Sequence, residues 1–404
     1  MFTEFAPTRS AALERLAEFV PLAGREYATR RNFDLPGVRT VSRLSPWIRH
    51  RILTEEEVVA AVLARHSLRS AEKFIDEVTW RTYWKGWLEL RPAIWQQYRT
   101  GLAAAIDRLA VEEGMRERWE AACEGRTGID GFDHWARELV ATGYLHNHAR
   151  MWFASIWIFT LRLPWELGAD FFLRHLLDGD PASNTLSWRW VGGMHTRGKT
   201  YLARASNIAE YTGGRYRPEG LATDARPLPD RHHPAPRPPP RSNDLDPTMR
   251  TGLLLTEEDL SPDFLFARGL RPVAATALLA VADRSPLAVS PRVHDWVTGA
   301  IDDCAGRHRA QLGSWTAPHE GEAALLFLRD WALGFNLGQI VTAYAPTGPT
   351  ADLLDKLRKL LEPHGVRLIT CLRNWDRDAW PHATRGFFQF KLDIVRQVEA
   401  AARR

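Results

Sequence analysis

Cysteine is scarce in this chain: Cys123, Cys304 and Cys371 are all there is in 404 residues, and they form no CxxC pair or metal-ligand spacing. That argues against a disulfide framework, a zinc site or an iron–sulfur cluster, and no metal is expected. Long apolar runs are missing too. No stretch of about 18 apolar residues occurs, and the opening MFTEFAPTRSAALERLAEFV carries acidic residues without a signal-type apolar core. The expectation is a cytoplasmic protein with no membrane contact. Strong charge of one sign is also lacking, since 53 Lys and Arg stand against 49 Asp and Glu. Residues 1–240 hold the whole excess, 33 basic against 29 acidic, so any polyanion contact leans to that part. Neither GxGxxG nor a Walker loop opens a helix in the C-terminal part, which leaves ordinary dinucleotide or NTP binding there without support.

What is present fits a folded protein of two units or more, with 45% apolar and 25% charged residues. Tryptophan is abundant, at 17 residues. Burial alone accounts for most single tryptophans, yet a chain this rich also invites a redox or base-stacking role. From residue 10 to about 216, apolar residues recur at helical spacing in 55–65, 71–90, 131–141, 147–163 and 165–177. The segment 225–241, ARPLPDRHHPAPRPPPR, has seven prolines and reads as a semi-rigid linker. Beyond it, the apolar runs Gly252–Leu255, Val273–Ala282, Gln339–Ala343 and Val366–Cys371 alternate with helical stretches near 291–312, 320–334 and 349–362. That alternation predicts βαβ units around a parallel sheet. The expected organisation is an all-α unit over 1–220, a Pro-rich linker over 221–248, and a Rossmann-like α/β unit over 249–404.

Three segments carry chemistry. Val41-Ser42-Arg43-Leu44-Ser45-Pro46-Trp47 puts hydroxyls and free amides before a helix that Pro46 begins, which suits a phosphate, or else an ordinary N-cap. In Glu77-Val78-Thr79-Trp80-Arg81-Thr82-Tyr83-Trp84, the residues Glu77, Trp80, Arg81 and Trp84 share one helical face. They could line a pocket for a planar, charged ligand, or be an i,i+4 charge pair beside core aromatics. The third runs Thr142-Gly143-Tyr144-Leu145-His146-Asn147-His148-Ala149-Arg150-Met151, followed by Asp178-Gly179-Asp180-Pro181-Ala182-Ser183-Asn184 and Trp188-Arg189-Trp190.

In this order and spacing, the segments over roughly 27–190 resemble the FAD-binding domain of the photolyase and cryptochrome family. The resemblance implies that Ser42, Arg43, Leu44 and Ser45 hold FAD phosphates, with Tyr27 upstream. Arg81 and Asn147 would contact the cofactor, Arg150 and Asp178 would pair beside the isoalloxazine ring, and Asp180 would sit near the ribityl chain. Asn184 matches the residue facing flavin N5, where an amide favours reduced-flavin chemistry. Glu77, Trp80, Met151 and Trp190 match the residues that meet an extruded pyrimidine dimer, while Trp188 and Trp165 match the inner two electron-transfer tryptophans. The chain departs from the family pattern at Val41, where Thr is usual, and at His148, where Arg is usual. At the outer tryptophan it has Glu112, with Trp119 nearby but unaligned, and the stretch after Trp190 also differs. The C-terminal part resembles the family's antenna domain in swapped order, through Gly252–Leu255 with Glu258-Asp259-Leu260, Val273–Ala282, Ser290-Pro291-Arg292 and Val341–Tyr344. An antenna chromophore is not assigned by these residues.

The implied function is light-driven splitting of pyrimidine dimers in damaged DNA by electron transfer from excited reduced FAD, with DNA affinity that salt erodes. A cryptochrome-like photoreceptor without repair is the alternative, favoured by His148, Glu112 and the altered 191–216 stretch. A helical protein that has lost FAD is the third reading.

Overall fold

The computed structural model describes residues 4–229 and 233–403, so residues 230–232 of the Pro-rich segment lie outside the described residues. Helices follow the sequence periodicity through the first half: Glu55–Leu63, Leu68–Glu89, Phe132–Thr142, Asn147–Ser155 and Trp165–His175. Several starts have a local cause. Thr54 and Glu57 form a reciprocal capping box before Glu55–Leu63, Ser67 caps Leu68–Glu89, and Asp180 caps Pro181–Val191. The expected single helix over 147–163 is broken, because Asn147–Ser155 passes into a π-helical turn, Ile156–Thr160. Such bulges recur at functional sites.

The second half is a six-stranded, all-parallel sheet of β1 (Thr251–Thr256), β2 (Ala274–Leu279), β3 (Ser314–Trp315), β4 (His319–Glu320), β5 (Gln339–Ala343) and β6 (Arg367–Cys371). The strand order is β3-β2-β1-β5-β6, with β4 also pairing β2. Four strands fall on the predicted apolar runs, and the helices Pro291–Arg307, Ala324–Gly334 and Pro349–Leu361 on the predicted helical stretches. Strands β3 and β4 are two residues each and carry no readable pattern. β1, β2 and β5 are buried along their whole length, as expected of a parallel sheet covered on both faces.

After β6 the chain returns to the helical part. Asn374–Ala379 and Phe387–Asp393 lie against Leu68–Glu89, and Val395–Ala401 lies against Glu55–Leu63. One apolar core therefore contains Phe74, Val78, Leu253, Val293, Trp375 and Phe390 together.

Buried charges also join the two halves. The Arg49 guanidinium meets Glu258, in the loop after β1, through two bonds of 2.8 and 2.7 Å. Arg51 meets Asp376 at 2.7 Å, and Arg373 meets Asp259 at 2.5 and 2.8 Å. Glu89 accepts from Tyr344 Oη and Thr347 N, both at 2.8 Å, and from Arg237 of the Pro-rich segment. That segment is thus fastened at Arg237, whose backbone N also donates to Leu90 O.

Candidate cofactor and substrate cavity

The helical part, with residues 386–388, borders an open cavity of about 1680 Å³. Its walls include Tyr27, Ser42, Arg43, Leu44, Ser45, Glu77, Trp80, Arg81, Asn147, His148, Arg150, Met151, Asp178, Asp180, Asn184, Trp188 and Trp190. Every sequence-predicted site residue except Trp165 therefore lies on one surface. The space exceeds the roughly 300–1,000 Å³ of a usual small-molecule pocket, so it has room for a large cofactor and a second occupant.

At one side the loop 41–45 turns into the short helix Ser45–Arg49, with Arg43 in the left-handed region at φ 55°. Arg43 pairs with Glu4 and lies 5.4 Å from the Tyr144 ring centre. Trp47 anchors the turn by donating to Ala6 O at 2.9 Å. Tyr27 packs edge-on against Phe19 and Phe74.

Arg150 donates to Asp178 Oδ2 at 3.0 Å and to Leu145 O at 2.9 Å, which fixes its plane. Burial works to raise the Asp178 carboxyl, but Arg150 outweighs it and holds the group below its ordinary value. Asp180 lies 3.5 Å from Lys85 Nζ, 3.6 Å from Arg49 Nε and 4.0 Å from Arg81 Nη1. Its burial is outweighed by these three cations, so it stays ionised well below the usual carboxylate range. Lys85 and Arg49, which also meet Glu258, were missed from the sequence. Lys85 was legible only as position i+4 from Arg81, and nothing local marked Arg49.

Some of the buried polar atoms without partners belong to the cavity lining. Arg81 Nη1 and Ser183 Oγ are buried, belong to residues lining the cavity, and have no hydrogen bond within the protein. A buried guanidinium N–H left unpaired is costly, and an anionic or carbonyl-rich ligand would relieve it. The donor set therefore suits a phosphate- and carbonyl-bearing aromatic cofactor.

The remaining residues have partners of their own. Asn184 donates Nδ2 to Ala169 O at 2.7 Å. Glu77 pairs with Arg31; burial raises its carboxyl above the ordinary value, and Arg31 opposes the rise. His148 stacks on Trp152 at 4.1 Å and faces Asn32 O (3.0 Å, from Nδ1) and Tyr201 Oη (3.2 Å, from Nε2). Burial lowers its pKa, so it is neutral; a carbonyl can only accept, so Nδ1 carries the proton and Nε2 accepts from Tyr201. In this arrangement His148 has no spare N–H to offer a substrate. Trp188 contacts Phe172 at 5.2 Å and Trp157 at 6.2 Å, both edge-on, whereas Trp165 sits beside Tyr98 at 5.7 Å. Glu112 is an exposed residue paired with Arg108.

Fold and cavity together define a helical unit whose cavity has room for a large ligand and a lining of both charged and aromatic side chains. The profile of the FAD binding domain of DNA photolyase matches residues 74–219. The chain is 36% identical over 164 residues to the deoxyribodipyrimidine photo-lyase of Streptomyces griseus, covering 40% of this chain and 34% of that protein. To the enzyme of that name from a strain of Thermus thermophilus it is 33% identical over 221 residues, covering 53% and 49%. A class III photolyase structure from Agrobacterium tumefaciens aligns with TM-score 0.43 and 26% identity, over 51% of this chain and 43% of that one. Residues 74–219 thus match the FAD-binding domain of DNA photolyase, and the chain is similar to deoxyribodipyrimidine photo-lyases over about half its length. It spans a third to a half of the length of those relatives.

Proposed function

We propose that residues 1–220 form a flavin-binding unit that holds FAD in this cavity and serves light-driven repair of pyrimidine dimers in damaged DNA. The observation that carries the reading is the convergence of the loop 41–45, Arg81, Asn147, the Arg150–Asp178 pair, Asp180 and Asn184 on one cavity with unpaired donors. FAD, when bound, supplies the light absorption and the transferable electron. The protein's part is to orient and to exclude water. Ser42, Arg43, Leu44 and Ser45 hold phosphates, Tyr27 and Asn147 border the cofactor, and Arg81 gives the N–H that lacks a partner. Trp188 is the inner member of an electron path; Trp157 is its edge-on neighbour, so the path does not depend on Trp165 alone. Glu77, Trp80, Met151 and Trp190 border the space left for an extruded base.

A photoreceptor without repair is the second reading. It is favoured by the engagement of His148 with Asn32 and Tyr201. The deciding experiment is blue-light illumination of photoreduced protein with dimer-containing oligonucleotides. Repair predicts dimer loss that depends on light. Bound flavin with unchanged dimers would leave the photoreceptor reading.

A further inference from the structure

In the functional reading Trp80 and Trp190 lie against a base, yet both rings already carry an aromatic partner from the chain itself. Phe387 stacks on Trp80 with centroids 3.7 Å apart and planes 9° from parallel. Tyr201 lies over Trp190 at 5.9 Å and 28°. Gly386, Phe387 and Phe388 line the cavity, and Phe388 is 78% exposed at its rim.

The helix Phe387–Asp393 has only seven residues, too few to persist on its own, so its seat depends on contacts with Leu68–Glu89 and the turn that follows. Those contacts are Phe390 in the core, Lys391 with Glu72 at 2.6 Å and Asp76 at 2.7 Å, and two bonds to the segment before it. In the latter, Tyr83 Oη donates to Arg385 O and Arg91 Nη2 to Thr384 O, each at 2.9 Å. Phe387 is itself buried, so it leaves this seat only when another flat ring takes its place on Trp80. Stacking on a phenyl ring and stacking on a base are of the same order, so one can exchange for the other.

We propose that Phe387 is a built-in occupant of the base-stacking position on Trp80, and that the helix Phe387–Asp393 must leave this seat for a base to enter the cavity. This rests on the reading that the cavity takes FAD and an extruded base. It makes Phe387 a residue that sets which occupants are admitted.

Two variants test it in the flavin-loaded full chain. Lys391→Glu sets a carboxylate against Glu72 and Asp76 and loosens the helix without touching the core; Phe387→Ala removes the occupant. The readouts are affinity for a single-stranded oligonucleotide with one thymine dimer, and iodide quenching of bound-flavin fluorescence. Both variants are expected to bind the oligonucleotide about three- to tenfold more tightly than the parent, with faster quenching. Flavin-loaded variants with unchanged or weaker binding and unchanged quenching would overturn the proposal and leave the flavin reading intact. If FAD failed to bind any form, the functional reading itself would fall, and the oligonucleotide affinities alone would decide whether Phe387 bars a base from the cavity.

Discussion

Asp180 and Arg81 make opposite demands on a substitution. Asp180 is buried among Lys85, Arg49 and Arg81 and also caps the helix Pro181–Val191. Asp180→Asn removes one of the two buried carboxylates that Arg49 and Lys85 meet, leaving them Glu258 alone, and the expected cost is up to about 3 kcal/mol by chemical unfolding. Arg81 has a buried N–H with no partner, so Arg81→Met is expected to keep stability within about 1 kcal/mol of the parent. FAD affinity should nevertheless fall at least about tenfold by titration, because a charge-assisted bond to the ligand is lost. A large stability loss with unchanged affinity would show that Arg81 serves the fold. Most of these positions were legible because three motifs recur in a fixed order. Arg49 was not, since its partner Glu258 lies far along the chain and each reads alone as a surface charge.

At the scale of elements, the helices were legible wherever one face is apolar and a Thr, Ser or Asp opens the turn. The π-turn at Ile156–Thr160 was not, because its residues are as apolar as a regular helix interior. Packing decides it. His146 caps the helix Asn147–Ser155 by accepting from His148 N at 3.2 Å, and burial brings its pKa down to about 4 despite Asp34 nearby. His50 is likewise held well below the ordinary value by burial and by Arg49 and Arg284, which outweigh the Glu257 and Leu177 carbonyls that favour its protonation. A histidine with a lowered folded pKa is neutral in the native state and charges first in the unfolded chain. Its contribution is whole above the unfolded value near 6.5 and is lost as pH falls from there toward the folded pKa. Stability is therefore expected to drop between pH 7 and pH 5, by up to about 1.4 kcal/mol per pH unit for each such group. Denaturant unfolding at the two pH values reads this, and His146→Asn, which keeps a capping acceptor, should flatten the dependence. An unaltered slope in that variant would assign the effect elsewhere.

Across the whole molecule, the order of helical part then parallel sheet was legible from the change in texture after the prolines. The return of the last helices was not. Phe390 is fully buried in the shared core, and Trp375 Nε1 donates to Thr82 Oγ1 at 2.9 Å in the long helix. Nothing in the spacing of either segment signals a contact across three-quarters of the chain. Phe390→Ala is expected to cost about 3–5 kcal/mol and to lower a single unfolding transition rather than split it, because the larger of two apolar cores spans both halves, the smaller lying on the sheet's other face. Two separated transitions would contradict that shared core.

The central claim is that the cavity holds FAD, and the absorption spectrum of the purified chain tests it most directly. Flavin bands that travel with the protein, or appear on adding FAD and survive gel filtration, are the expected result. A protein that stays colourless and takes up no FAD from excess would contradict the account.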